Sequence, residues 1–261
     1  MIPYFSFTIL PLGPLVIQVW GLMVALGILC GIFLSSRIIK KYGLSTDVFF
    51  DLALWCLVGG IFGARFFHVF FYDFSFYQKN IAEIIAIWHG GMSSLGGFVG
   101  AALTILLFVL KKKLSLKNFL PYLDIGALGL WIGWGIGRIG CFLIHDHPGT
   151  LSHFVLAVKY PGGARHDLGL YDSILGFGIF FLFFILYKTK VIKIGSGMLI
   201  RWSVFVYAVV RFFLDFLRAT DLAGSDVRYL YLTPAQWGML AVVLGLIIIE
   251  INGRLRRSKN V

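Results

Sequence analysis

Three ionisable residues lie in a stretch of the chain that is otherwise apolar enough for lipid. Arg211, Asp215 and Arg218 occur within residues 204–218, and spacings of four and three place them on one helix face. A charge in a bilayer costs roughly 3 kcal/mol or more unless it is paired or hydrated, so such residues mark functional sites. Arg138 lies in a second apolar stretch. Several guanidinium groups facing a membrane cavity predict an anionic ligand, and the commonest anion there is a phospholipid headgroup.

A second polar cluster follows Arg138. His145, Asp146 and His147 come directly after the apolar stretch, and His166 lies in the same polar segment. Imidazoles beside a carboxylate can act as a general base at neutral pH or can bind a metal ion. A zinc site made by the three histidines and an aspartate is therefore an alternative. Because a lipid-phosphate site already accounts for the cluster, we predict no metal and no cofactor.

A third candidate lies at the end of another apolar stretch. Arg65, His68 and Tyr72 share a helix face at spacings of three and four. An aromatic belt with an arginine reaching to the interface would give the same pattern. We expect Arg65 to contact a headgroup, and His68 and Tyr72 to belong to the belt.

The composition is typical of a multi-pass membrane protein. Of the 261 residues, 59% are hydrophobic and only 13% are charged. The net charge of +11 comes largely from basic clusters that adjoin apolar segments, at 37–41, 111–117, 188–201 and 254–259. This positive-inside pattern indicates cytoplasmic loops and argues against a nucleic-acid partner.

The hydropathy pattern predicts seven membrane spans. They lie at about 15–36, 48–71, 92–110, 119–143, 170–187, 197–217 and 234–252. The basic clusters place the N-terminus outside and the C-terminus in the cytoplasm. Residues 81–88 predict a short helix in the interface on the external side. The predicted fold is an all-α polytopic membrane protein with a single domain, 1–261.

Several motifs occur in an order that is typical of one family. They are Trp20-Gly-Leu-Met23, Gly63-Ala-Arg65, Gly90-Gly-Met-Ser93 followed by Gly96-Gly97, and Arg211 with an acid four residues later. A signature of the form Gly-Arg-x-Gly-Asn-Phe-aliphatic-Asn-x-Glu-x-x-Gly is matched at Gly137, Arg138, Gly140, Phe142, Leu143 and Gly149. The chain therefore resembles the bacterial prolipoprotein diacylglyceryl transferases over essentially its whole length.

The chain departs from that family at several positions. Cys141 and Ile144 replace the two asparagines of the signature, and Asp146 and Asp215 replace glutamates. Leu95 stands where the family has a histidine, and leucine cannot accept a proton. A base is then expected from another part of the chain, or nearby arginines favour the thiolate without a dedicated base.

The resemblance implies a reaction and its partners. The diacylglyceryl group of phosphatidylglycerol is transferred to the lipobox cysteine in the signal peptide of a preprolipoprotein. A thioether forms and glycerol 1-phosphate is released. The resemblance also implies a bacterial inner-membrane protein whose active site faces the outer leaflet.

The resemblance and the polar clusters together suggest residue roles. We expect Arg138 and Arg211 to bind the phosphate and stabilise the leaving group, with Asp215 orienting Arg211. Asp146 would position a histidine or a headgroup hydroxyl. The candidates for the base are His145, His147 and His166, and further substrate contacts are expected from Arg218, Arg65, Gly149 and Tyr171.

Three other functions could use a similar set of residues. A lipid transporter would also place arginines in a cavity, although the sequence shows no internal repeat of the kind that many carriers have. A metal-dependent membrane hydrolase could be built on the histidines. A member of the family that binds lipid or lipoprotein without catalysis would explain Leu95.

Overall fold

The computed structural model describes residues 1–13, 15–222 and 225–258, and the side chains of these residues except those of 15 and 253–258. Parts of the polar segment 219–233 and of the basic cluster 254–259 therefore lie outside the described residues. Within the described ranges the chain is mainly helical. The helices are α1 Val19–Lys41, α2 Thr46–Phe71, α3 Phe74–Lys79, α4 Ser94–Lys111, α5 Leu116–Ile144, α6 Leu168–Lys188, α7 Met198–Leu214 and α8 Pro234–Ser258.

Six of these helices are long and apolar enough to cross a membrane: α1, α2, α4, α5, α6 and α8. The prediction of an all-α polytopic membrane protein is therefore confirmed. The sixth predicted span, 197–217, forms α7, which has 17 residues and is about 26 Å long. The count of seven spans and the orientation of the chain stay predictions.

Two predicted elements differ in detail from the structure. The first span was predicted to begin at residue 15, but Leu15–Gln18 forms a strand, β3, that pairs with β2 (Ile9–Leu12), and α1 begins only at Val19. The predicted interfacial helix at 81–88 is instead two 3₁₀ turns, Ile81–Ile84 and Ile87–His89, which follow the short helix α3.

The polar segment between α5 and α6 forms a small sheet together with an N-terminal strand, and the sequence does not predict it. Its strands lie in the order β1 (Ile2–Pro3), β5 (Val158–Tyr160), β6 (Gly163–Asp167) and β4 (Pro148–Leu151). β1 pairs with β5 in parallel, and the other two pairs are antiparallel. Asp167 ends β6 and caps α6, since its carboxylate accepts from Leu170 N at 3.0 Å. The sheet therefore positions the start of α6.

The chain divides into two compact units, one made of residues 1–35 and 123–261 and the other of residues 36–122. In the first unit α1 approaches α5 closely at Gly27 and Gly133, where a Cβ on either residue would overlap the main chain of the other. In the second unit α2 and α4 meet in the same way at Gly63 and Gly96. Small residues at these crossings let the helix backbones touch. The single domain stays a prediction.

Candidate functional site

The centre of the candidate site is a buried carboxylate, Asp172, near the start of α6. Its side chain is fully buried and lies between two arginines. Arg138 of α5 brings Nε to 3.5 Å from one carboxylate oxygen, and Arg211 of α7 brings Nε to 3.6 Å from the other. Three helices thus contribute one charged side chain each to the interior of the first unit.

The triplet identified in the sequence continues this row of charges. Arg211 Nη2 lies 2.9 Å from Asp215 Oδ1, and Arg218 Nε lies 2.8 Å from the same oxygen. α7 ends at Leu214 and continues as a 3₁₀ turn, so that spacings of four and three still keep the three side chains together. Asp215 also accepts a hydrogen bond from Thr233 Oγ1, while Arg218 Nη1 reaches Asp226 at 2.5 Å.

One donor in this row has no partner among the residues that the structure describes. Nη1 of Arg211 is buried without a hydrogen bond, although the residue is only 5% exposed. Both oxygens of Asp172 are also without hydrogen bonds, because the two arginines lie at ion-pair rather than hydrogen-bond distance. Leaving such groups unsatisfied is costly, so an unpaired guanidinium N–H in this position is suited to an oxygen atom of an anionic ligand.

Aromatic rings surround the arginine–aspartate row. The Arg138 guanidinium lies over the ring of Trp134, 4.5 Å from its centroid. Tyr207, one turn before Arg211 on α7, lies 4.9 Å from Trp131 and 5.6 Å from Trp134, centroid to centroid. Rings of this size exclude water from the charged groups, and electrostatic interactions are stronger where water is excluded.

The histidine cluster divides into three separate contacts. His145 has a left-handed backbone (φ 54°) directly after α5, and its Nδ1 lies 2.6 Å from Asp167 Oδ2. Tyr160 donates to the same oxygen at 2.7 Å. Burial, together with the Asp167 carboxylate, raises the pKa of Tyr160 above its ordinary value. Because His145 is buried among the rings of Tyr4, Phe5 and Phe142, this contact fixes the turn between α5 and the sheet.

His147 forms the second contact, with its neighbour Asp146 through Nδ1. These two side chains also lie beside Cys141, and their potential ligand atoms and the thiol are within 4.8 Å of one another. Cys141 in turn lies 3.7 Å from Arg138 Nη1. Of the three candidate histidines, His147 is thereby connected through Cys141 to the arginine–aspartate row.

His166 forms the third contact, to the hydroxyl of Tyr171, with Nδ1 2.7 Å from the oxygen. Burial lowers the pKa of His166 below its ordinary value. Gly149, another predicted substrate contact, lies in β4 and pairs with the backbone of Arg218. A side chain there would meet the carbonyl oxygen of Leu217 at 2.5 Å. The structure therefore gives Gly149 a packing role beside the triplet.

Arg65 lies in the second unit, where it organises the loop before α4. Its guanidinium donates to five backbone carbonyls between residues 83 and 91, among them Gly91 O at 2.8 Å and Ile84 O at 3.0 Å. Gly90 and Gly91 adopt positive φ, and Ser93 caps α4. All five N–H groups of Arg65 are used in this way. The headgroup contact predicted for Arg65 stays a prediction.

Two residues are more central in the structure than their sequence context indicates. Asp172 is not among the residues expected from the sequence, although a carboxylate near the start of a predicted span is itself a functional signal. Cys141 is named above only as a departure from the signature, but its thiol lies beside both Arg138 and His147. The predicted zinc alternative with three histidines is not assembled in the described structure, because His145 and His166 are held by other partners.

These helices and charges define a multi-pass membrane protein with an interior site suited to an anionic group. The chain belongs to the prolipoprotein diacylglyceryl transferase family, whose model matches residues 8–251. That match covers all the candidate site residues described above.

Curated relatives carry the name phosphatidylglycerol–prolipoprotein diacylglyceryl transferase. The relative from Finegoldia magna is 31% identical over 89% of this chain and 89% of its own length. The relative from Ectopseudomonas mendocina is 34% identical over 90% and 88%, and the one from Staphylococcus xylosus is 30% identical over 96% and 91%. These names support a transferase and do not favour the transporter, hydrolase or non-catalytic alternatives.

Proposed function

We propose that this protein transfers the diacylglyceryl group of phosphatidylglycerol to the lipobox cysteine of preprolipoproteins. The observation that carries the proposal is the buried Arg138–Asp172–Arg211 row, in which one Arg211 donor has no partner among the described residues, in a chain that belongs to a transferase family. We place the reaction in a bacterial inner membrane at the outer leaflet, in agreement with the predicted orientation and the bacterial relatives.

Arg138 and Arg211 bind the phosphate of phosphatidylglycerol in this proposal. Each guanidinium has N–H groups that Asp172 does not engage by hydrogen bonding, and Nη1 of Arg211 has no hydrogen-bond partner in the described part of the chain. As the carbon–oxygen bond to the phosphate breaks, negative charge grows on the leaving oxygen, and fixed guanidinium groups stabilise it without reorganisation. Asp215 holds Arg211 in position, and Arg218 holds Asp215.

His147 is the proposed base. Asp146 contacts Nδ1, which leaves Nε2 to accept the proton of the incoming thiol. The thiolate then attacks the terminal glycerol carbon of the diacylglyceryl group, the thioether bond forms, and glycerol 1-phosphate departs with the electron pair of the broken carbon–oxygen bond. His147 fits this role better than His145 or His166 because it alone belongs to the group that includes Cys141, next to Arg138.

The proposal is tested with purified variants in phosphatidylglycerol vesicles and a lipobox peptide. Arg138→Ala and Arg211→Ala should each lower kcat/KM by about 100-fold or more, the usual loss when a donor to a developing charge is removed. His147→Gln should lower kcat by roughly 100-fold or more. The matched control is Arg201→Ala, at the other end of α7, whose partner is Glu250 at 3.3 Å.

Each outcome bears on a separate part of the proposal. Wild-type turnover in Arg138→Ala or Arg211→Ala would refute the phosphate role. Unchanged turnover in His147→Gln would remove the base assignment and leave the phosphate site intact. A loss in Arg201→Ala as large as that in Arg211→Ala would mean that the assay reports helix stability rather than the site.

A further inference from the structure

The site contains a group of metal-binding side chains that the proposed reaction does not require as a set. The Sγ of Cys141, a carboxylate oxygen of Asp146 and an imidazole nitrogen of His147 all lie within 4.8 Å of one another. We propose that these three side chains bind one thiophilic divalent cation of the zinc type, and that the bound cation inhibits diacylglyceryl transfer.

The turn that follows α5 brings the three residues together. α5 ends at Ile144, and the left-handed conformation of His145 turns the chain sharply at that point. Residues 146 and 147 are thereby placed beside the last turn of α5, which carries Cys141. Because His145 is fixed by Asp167 and surrounding rings, the turn is held by contacts that do not involve the three ligands.

The three side chains have the chemistry that zinc selects. Thiolate, imidazole and carboxylate are its common protein ligands, and three of them leave a fourth position for water or substrate. Zinc bonds of about 2.0–2.3 Å require the ligand atoms to come somewhat closer than 4.8 Å. Asp146 is exposed and His147 partly so, which gives the ion an entry path. Their mutual contact through Nδ1 of His147 must open for both side chains to turn toward the buried thiol.

The local charges also suit a divalent cation. Cys141 as a thiolate and Asp146 as a carboxylate together offset the two positive charges of a divalent cation, and the thiol proton is released when the metal binds. The Arg138 guanidinium lies 3.7 Å from the sulfur. Arg138 is itself held beside Asp172, which reduces its repulsion of a cation at the sulfur. The negative charges of the ligands therefore match the positive charge of the proposed cation.

The inference that the bound cation inhibits diacylglyceryl transfer rests on the proposed function. A cation bound to His147 takes the nitrogen that would accept the proton of the substrate thiol, and it would also capture that thiol in its open position. Cation binding itself does not depend on catalysis. The two parts can therefore be measured separately.

Cobalt(II) is the probe for binding, because a thiolate–cobalt bond gives a charge-transfer band in the near ultraviolet. The full-length protein in detergent is titrated with cobalt and then with zinc. One cobalt per chain should produce the band, and one zinc should abolish it. Cys141→Ser should remove the band, and His147→Gln should weaken binding by more than about tenfold, the loss seen when even an outer partner is removed. Cys56→Ser, which removes a cysteine in the other unit, should bind normally.

Any of three results would refute cation binding at Cys141, Asp146 and His147. They are the absence of the near-ultraviolet band in the wild type, a band that survives in Cys141→Ser, and a band that is lost in Cys56→Ser. His147→Gln provides a second test if Cys141→Ser does not fold. Zinc should reduce transfer in the wild type and a chelator should restore it. One-to-one binding through Cys141 without any effect on transfer would refute the inhibitory part and would place the base elsewhere.

Discussion

Replacing Asp172 with asparagine removes the charge between two buried arginines while keeping the shape of the side chain. At an effective dielectric constant of about 20, each arginine at 3.5–3.6 Å attracts the carboxylate by about 5 kcal/mol, before desolvation is subtracted. Breaking a buried ion pair costs about 3–5 kcal/mol net, because a charge is left uncompensated. Asp172→Asn should therefore lower the free energy of unfolding by about that amount.

The measurement is thermal unfolding of the purified protein in detergent. A loss of 3–5 kcal/mol corresponds to a fall in Tm of roughly 6–20 °C for a chain of this size. Glycerol 1-phosphate should raise the Tm of Asp172→Asn more than that of the wild type, because a phosphate can replace the missing carboxylate between Arg138 and Arg211. Transfer activity should also fall, since the two guanidinium groups lose the group that spaces them.

The matched control is Asp226→Asn. Asp226 also pairs with an arginine, Arg218, but its side chain is 32% exposed. An exposed pair contributes less than about 1 kcal/mol, so this variant should melt within a few degrees of the wild type. A wild-type Tm in Asp172→Asn, or an equal fall in both variants, would contradict the view that Asp172 neutralises the arginines.

Three further predictions concern the surrounding structure. Gly149→Val should destabilise the fold by about 1–3 kcal/mol through overpacking, whereas Gly126→Ala, where a side chain meets nothing within 4 Å, should not lower the Tm. Thr233→Val should cost about 1.5–3 kcal/mol in chemical unfolding, because Asp215 loses a buried hydrogen bond. Burial lowers the pKa of His166, so the stability that its neutral form contributes is complete above pH about 6.5 and is lost as the pH falls through the lowered pKa. Tm measured against pH should therefore fall over this range. In His166→Gln the dependence of Tm on pH should be weaker.

The helices could be predicted from the sequence because a bilayer demands long apolar segments. Predicted ends lie within a few residues of the observed ones, for example 48–71 against Thr46–Phe71. Arg138, Arg211 and Asp215 can be singled out from the sequence because a charge in such a segment is conspicuous. The ion pair between Arg211 and Asp215 followed directly from a spacing of four on one helix.

The remaining features depend on contacts between distant segments. The β4–β6 sheet is short and polar, and it has no strong alternation that would predict strands. Asp172 meets its arginines from two other helices, a relation that no local spacing reveals. The left-handed turn at His145, which no local pattern predicts, decides which of the three histidines lies beside Cys141.

The row of charges in the first unit contains as many carboxylates as guanidinium groups: Arg138, Arg211 and Arg218 alternate with Asp172, Asp215 and Asp226. Before substrate arrives, the row carries no excess charge. A phosphodiester adds a single negative charge, but the phosphomonoester that leaves carries between one and two at neutral pH. The carboxylates of the row, Asp172 above all, compete with the phosphate for the same guanidinium groups. In the proposed reaction this competition favours release of the headgroup after the carbon–oxygen bond has broken, while the guanidinium groups stabilise the charge that grows as it breaks.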